Sequence, residues 1–326
     1  MRAGGVPGTP RRGADAPRAG LWARTGAWAV AASLVVVAPG GASADGPREE
    51  PKGAVGTRDV PEAPPAAERS PTVTLRLADE EAWEGAVPAD VRAVLGSVID
   101  EFLPYVPGAE PVMIEVRPRG GPISLFERAP DGAVRVNLNT GGNLWSQYAY
   151  QFAHELCHVF CRFDRDDTGN QWFEEAVCEI ASLFVLRRMA TTWREMPPYP
   201  NWRDYSGSLE TYAARIIDEG RLPEGLSLAD WYQRHRDELP TRPTDRDNAR
   251  AIAAALLPLF EDEPGRWGAI PWLNAARPAR PQSFRDYLLD WRRHAPVAQA
   301  ATIEAIAAAF GVTLPAVEPG EGGDAP

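Results

Sequence analysis

The sequence predicts an α+β domain from three observations. Short segments of alternating apolar and polar residues dominate residues 72 to 139, apolar residues recur at helical spacing from Asn143 onward, and no internal repeat breaks that order. Strands come first and helices after, so a sheet at the N-terminal side should lead into helices and then a C-terminal helical lobe.

Taken in order, Thr72 to Leu77 reads as a half-buried strand, because Val73, Leu75 and Leu77 alternate with polar residues. A helix should begin near Pro88, since proline suits a first helical turn and Val91, Val94, Leu95, Val98, Ile99 and Phe102 share one face. That face needs a sheet to cover. VMIEV (112–116), ISLFE (123–127) and AVRVNLN (133–139) supply further strands. Helical periodicity then runs through 143–163, 171–190, 208–219, 247–260, 283–293 and 301–310.

The flanks read differently. Five arginines precede the apolar run AWAVAASLVVVA (27–38), and a small-residue site, Ala42-Ser43-Ala44, follows it. This is the pattern of a secretory signal, residues 1–44, and the run is short of the roughly 20 residues a membrane span needs. Residues 45–71 are rich in Pro, Ala and Glu and read as a disordered linker, and 313–326 as a tail of the same kind. The domain is therefore expected over 72–312, exported after cleavage near Ala44. Losing residues 1–44 removes five of 34 basic and one of 45 acidic residues, leaving 29 against 44. So acidic a chain is repelled by nucleic-acid phosphates and anionic lipid, and neither is an expected partner.

The chemistry concentrates in HELCH, residues 154–158, which holds two of only four histidines. On a helix, Trp145, Tyr148, Phe152, Leu156, Val159 and Phe163 make one apolar stripe, and His154 and His158 share the polar face with Gln147 and Tyr150. Ligands four residues apart stand one turn above each other and can reach one zinc ion. Glu155 lies beside them, where a carboxylate can act as general base.

A second amphipathic helix, QWFEEAVCEIASLFVLRRM, follows. Glu175 and Glu179 lie one turn apart on one face, with Glu174 turned away by about a quarter turn. Glu175 is assigned as third zinc ligand, and Glu179 as the carboxylate that accepts a hydrogen bond from a ligand imidazole. Cys161 and Cys178 follow His158 and Glu175 by three residues each. They could pair as a disulfide that staples the two helices and leaves Cys157 free, or all three could be reduced core residues.

HELCH followed by WFEEAVCE resembles the gluzincin metallopeptidases, over about 36 residues, 144 to 179. The resemblance implies a zincin-like catalytic domain in which His154, His158 and Glu175 bind zinc and Glu155 is the base. It also implies an edge strand before the zinc helix that pairs with extended substrate, a place AVRVNLN fits. An oxyanion donor is implied downstream, with Tyr212 and Tyr205 ranked above His235. Ala176 replaces a glycine often found after the ligand glutamate, and the G-x-M-E-N motif of large aminopeptidases is missing. The resulting expectation is an exported zinc-dependent peptidase acting on a peptide or protein. Its alternatives are a binding or scaffold module with zinc as structural cement, and a hydrolase of a non-peptide amide.

Overall fold

The computed structural model describes residues 73–78, 83–165, 169–276, 278 and 280–316. The expected signal segment, its cleavage site and the Pro/Ala/Glu-rich linker lie outside the described residues, as do residues 317–326 of the expected tail.

Four strands form one mixed sheet: β1 (Val73–Leu77), β2 (Val112–Arg117), β3 (Ile123–Leu125) and β4 (Val134–Asn137), in spatial order β1-β2-β4-β3. The first three in that order are mutually parallel, and β3 runs antiparallel to β4 at the edge. Side-chain alternation sorts the residues onto two faces. Ile114, Val116, Val134 and Val136 are buried on the inner face, joined by Leu77. On the outer face Arg76, Glu115 and Arg135 stand at successive register positions, and Arg76 and Arg117 donate to the Glu115 carboxylate at 3.0 Å. A cross-strand row of alternating charge thus covers the outer face.

This order corrects one expectation. The segment AVRVNLN contains β4, an interior strand with β2 on one side and β3 on the other, so the edge beside the HELCH helix is β3. Gly121 makes this possible. A Cβ there would stand 1.9 Å from the Asn137 carbonyl oxygen, so only glycine lets the chain turn so closely onto β4.

Eight α-helices follow or interleave among the described residues. Helix α1 (Pro88–Phe102) connects β1 to β2 and buries Val91, Val94, Leu95, Val98 and Phe102, as its spacing predicts. Helices α2 (Trp145–Phe160) and α3 (Gln171–Thr192) lie at the centre and are buried on nearly every side. Helices α4 (Ser206–Glu219), α5 (Leu228–His235), α6 (Arg246–Asp262), α7 (Phe284–His294) and α8 (Ala300–Ala309) complete the molecule. Ser227, Asp245 and Ser283 cap α5, α6 and α7 by accepting backbone N–H groups of the first turn, which fixes where those helices start.

Two aromatic clusters bind the later helices to the centre. Trp172 and Phe173, at the start of α3, pack against Phe284, and Phe310 lies within 5.9 Å of both rings. Trp267 packs on Phe102, Phe184 and Phe260. Each such ring removes on the order of 2–3 kcal/mol worth of apolar surface from water, so the start of α3 is held firmly. The packed chain runs past residue 312: Arg285 donates to the Thr313 carbonyl, and Leu314 rests on the core. No described helix is long and apolar enough to cross a membrane.

Candidate metal centre

Helix α2 brings His154, Glu155 and His158 to a buried junction, and α3 brings Glu174, Glu175 and Glu179 against them. Three hydrogen bonds fix how α2 is held. The Gln151 side chain accepts from Asn139 N at 2.8 Å and donates to Asn139 O at 3.1 Å, clamping α2 to the end of β4. On the other side the Ser182 hydroxyl donates to Tyr150 O at 3.0 Å, fixing α2 against α3.

His154 Nε2 lies 3.2 Å from Glu175 Oε2, and His158 Nε2 lies 3.7 Å from the same oxygen. Two donors held tetrahedrally at about 2.0–2.1 Å from one ion stand about 3.4 Å apart, so the three side chains fit a single small cation. They form one of three groups of closely placed donors that could hold a metal among the described residues. Two imidazole nitrogens and a carboxylate oxygen suit borderline divalent ions such as zinc.

Each histidine has a carboxylate behind it. His158 Nδ1 donates to Glu174 Oε1 at 2.6 Å, Asn274 Nδ2 donates to Glu174 Oε2 at 2.6 Å, and the Tyr287 hydroxyl donates to Asn274 Oδ1 at 2.9 Å. Glu174, expected to turn away, is therefore the closer partner: it enters from the first turn of α3 at an angle that carries it to His158. Neither Asn274 nor Tyr287 carries a motif, and both arrive from more than 90 residues downstream. Only the fold reveals them.

Glu179, expected to accept a hydrogen bond from a ligand imidazole, stands 3.8 Å from His154 Nδ1, an ion-pair separation. Its direct donor is the Tyr150 hydroxyl, 2.6 Å from both carboxylate oxygens. Burial, reinforced by Glu179, raises the Tyr150 pKa well above that of a free phenol, so Tyr150 stays a donor.

Glu155 faces β3. The Ser124 hydroxyl donates to Glu155 Oε2 at 2.9 Å, and its oxygen lies 3.3 Å from the Glu155 carbonyl. The register explains why Ser124 is there: it pairs with Val136 and so shares the inner face of the sheet. Burial raises the Glu155 pKa above the ordinary carboxylate value against the pull of His158, His154 and Ser124. Burial opposes charge on His158, but Glu175 and Glu174 outweigh it and raise its pKa well above normal. Glu175 is held low despite its own burial, chiefly by His158.

Of the candidate oxyanion donors, Tyr205 and His235 bond to backbone groups away from His154 and His158, and Tyr212 lies near enough to Glu179 for its charge to act on the phenol. Tyr205 Oη accepts from Ser146 N at 3.3 Å at the start of α2, eight residues and so about 12 Å along the helix axis from His154. Tyr212 sets its ring edge against Tyr150, 5.7 Å between centroids, which places it behind the Tyr150–Glu179 pair. His235 Nδ1 donates to Trp231 O at 2.7 Å within its own helix, and the imidazole stacks on the Trp231 ring.

Cys157, Cys161 and Cys178 are all free and fully buried, so of the two alternatives the reduced state is the one present. Burial of Cys157 opposes ionisation, yet contacts with the Cys161 and Cys178 thiols bring its pKa down to about 6.

No family model, curated protein or solved structure matches this chain. The class that fold and site define is thus a mixed α+β protein with a buried His/Glu group able to hold a metal.

Proposed function

We propose that this protein is a zinc-dependent peptidase of the gluzincin type, with zinc held by His154, His158 and Glu175 and with Glu155 as general base. The observation that carries the reading is the placement of the Glu155 carboxylate, oriented by Ser124, on the same helix turn as the two histidines whose Nε2 atoms converge on Glu175.

Bound zinc would supply Lewis-acid polarisation of a scissile carbonyl and of the attacking water. Glu155 takes a proton from that water at a carboxylate oxygen and returns it to the leaving amine. Ser124 holds the other oxygen and prevents the carboxylate from turning away. Glu174 keeps the proton of His158 on Nδ1 and so leaves Nε2 free as a donor. Edge strand β3 has β4 on one side only, and an extended peptide could add along its other side, beside Glu155. The basic and apolar segment at residues 2–44 supports export of the chain to a compartment where such a peptidase would meet its substrates.

The test is cleavage of a complex peptide library by the zinc-loaded protein, with Glu155→Gln as the matched control. Cleavage by the wild type alone, with one zinc bound to each, supports the peptidase. One zinc in each and cleavage by neither removes it and leaves a metal-containing binding module or a non-peptide amidase.

A further inference from the structure

The three cysteines sit behind the histidine–glutamate group, on the same two helices. Cys157 immediately precedes His158, and Cys178 lies one turn beyond Glu175. Their sulfurs all stand within 4.8 Å of one another, with 3.9 Å between those of Cys157 and Cys161. Three sulfurs in a plane about 2.3 Å from a common centre are about 4.0 Å apart, a spacing that Cys157 and Cys161 already have and that Cys178, within 4.8 Å of both, reaches by a small shift. Packing alone explains buried cysteines one at a time. It does not require three from two helices to converge.

We propose that Cys157, Cys161 and Cys178 form a second metal site, a three-sulfur cradle for one soft, three-coordinate cation. All three have zero exposure and belong to the apolar core, and the further donors within 4.8 Å of Cys178, His158 and Glu174, are paired with each other at 2.6 Å. That disfavours zinc, whose structural sites take four protein ligands, and favours thiophiles content with three. The alternative grouping of Cys178 with His158 and Glu174 would draw His158 away from Glu175, whereas the all-sulfur grouping leaves the first site intact.

Charge selects within this class. Three thiolates around a trivalent centre are neutral overall, which an apolar core accepts. Around Cu(I) they leave two negative charges unless thiols keep their protons. For trivalent arsenic, As(OH)3 meets three thiols: three As–O and three S–H bonds break, three As–S and three O–H bonds form, and three waters leave. No atom changes oxidation state. Either ion would tie α2 to α3 one residue from the histidine ligand.

The experiment uses the full chain, reduced and zinc-loaded, and offers arsenite in one arm and Cu(I) buffered by a competing chelator in the other. Each is added to the native protein and also during refolding, so that slow entry into a closed core does not decide the result. Native mass spectrometry, alkylation of thiols after denaturation, and X-ray absorption are the readouts. The expected result is one equivalent bound, all three thiols protected, and a shell of three sulfurs. His154→Ala should not alter it, and Cys161→Ala should weaken it by about a hundredfold or more. Protection of fewer than three thiols, nitrogen in the shell, or loss of binding in His154→Ala overturns the proposal, and all but the last are read on the wild-type chain. Uptake in the arsenite arm alone identifies the neutral complex as the fitted one. Uptake of Cu(I) alone keeps the site and overturns the charge argument.

Discussion

At Ser124 one hydroxyl links the edge strand to Glu155, and the register that places it there was not evident from ISLFE, where it reads as one polar residue among apolar ones. A hydrogen bond to a charged group contributes about 1.5–3 kcal/mol, and about 1.4 kcal/mol is tenfold in rate. Ser124→Ala should therefore lower kcat about tenfold with KM little changed, measured on whichever peptide the library identifies. An unchanged kcat would mean that Glu155 is held by other contacts. Glu174 carries the companion prediction. Its carboxylate fixes His158 through Nδ1, so Glu174→Ala should weaken zinc binding by about 10- to 100-fold in chelator competition, while Glu155→Gln leaves it near the wild-type value. The histidines, Glu155 and Glu175 were legible because a helix converts spacing into direction. Glu174 was misread because that conversion treats each helix alone, and the crossing of α3 on α2 decides which of two neighbouring carboxylates reaches which imidazole.

The strands and helices themselves were largely legible, because each signal is local: alternation in β1 and β4, an apolar stripe in α1 and α2. Their order in the sheet was not. AVRVNLN was expected at the edge because it precedes the HELCH helix in sequence, yet β3, three residues of weak pattern, takes that place through the close turn at Gly121. Pairing is decided by contacts between segments, which no single window contains. The outer face of the sheet gives a prediction of its own. Burial of Glu115 opposes its charge, but Arg117 and Arg76 prevail and hold its pKa below the ordinary carboxylate value. A carboxylate lowered on folding stabilises the native state above its unfolded pKa, and that contribution is lost as pH falls through the folded value. Glu115→Gln should accordingly reduce stability by about 1 kcal/mol at neutral pH and by progressively less toward acid. Denaturant unfolding followed from pH 7 downward would show the two proteins converging; a constant gap would assign the loss to packing instead.

Across the whole molecule, four acidic side chains, Glu155, Glu174, Glu175 and Glu179, are buried around two histidines. Uncompensated buried charge is costly, so a divalent cation at His154, His158 and Glu175 should stabilise the entire fold rather than one loop. Besides the Arg250–Glu179 ion pair from α6, the later part of the chain joins this centre through a polar chain, in which Tyr287 donates to Asn274, Asn274 to Glu174, and His158 supplies the last proton to Glu174. Every link in that chain has a fixed direction. Asn274 can donate to Glu174 only while its carboxamide oxygen faces Tyr287, and the Tyr287 hydroxyl is what holds it so. Tyr287→Phe keeps the ring that packs 6.3 Å from Phe173 and removes the hydroxyl alone. Stability should fall by about 1 kcal/mol, the usual net value of one hydrogen bond, while the zinc dissociation constant rises about tenfold. Chelator competition and thermal unfolding, each with and without zinc, measure the two separately, and Arg285→Ala, on an exposed face of the same helix, controls for general loosening of α7. Should Tyr287→Phe lose stability with no change in zinc affinity, the chain is a packing feature and the late helices do not tune the centre. If affinity falls more steeply than stability, the lobe drawn from the last third of the sequence is part of how His158 is aimed, and the site extends well beyond the two helices on which its motif is written.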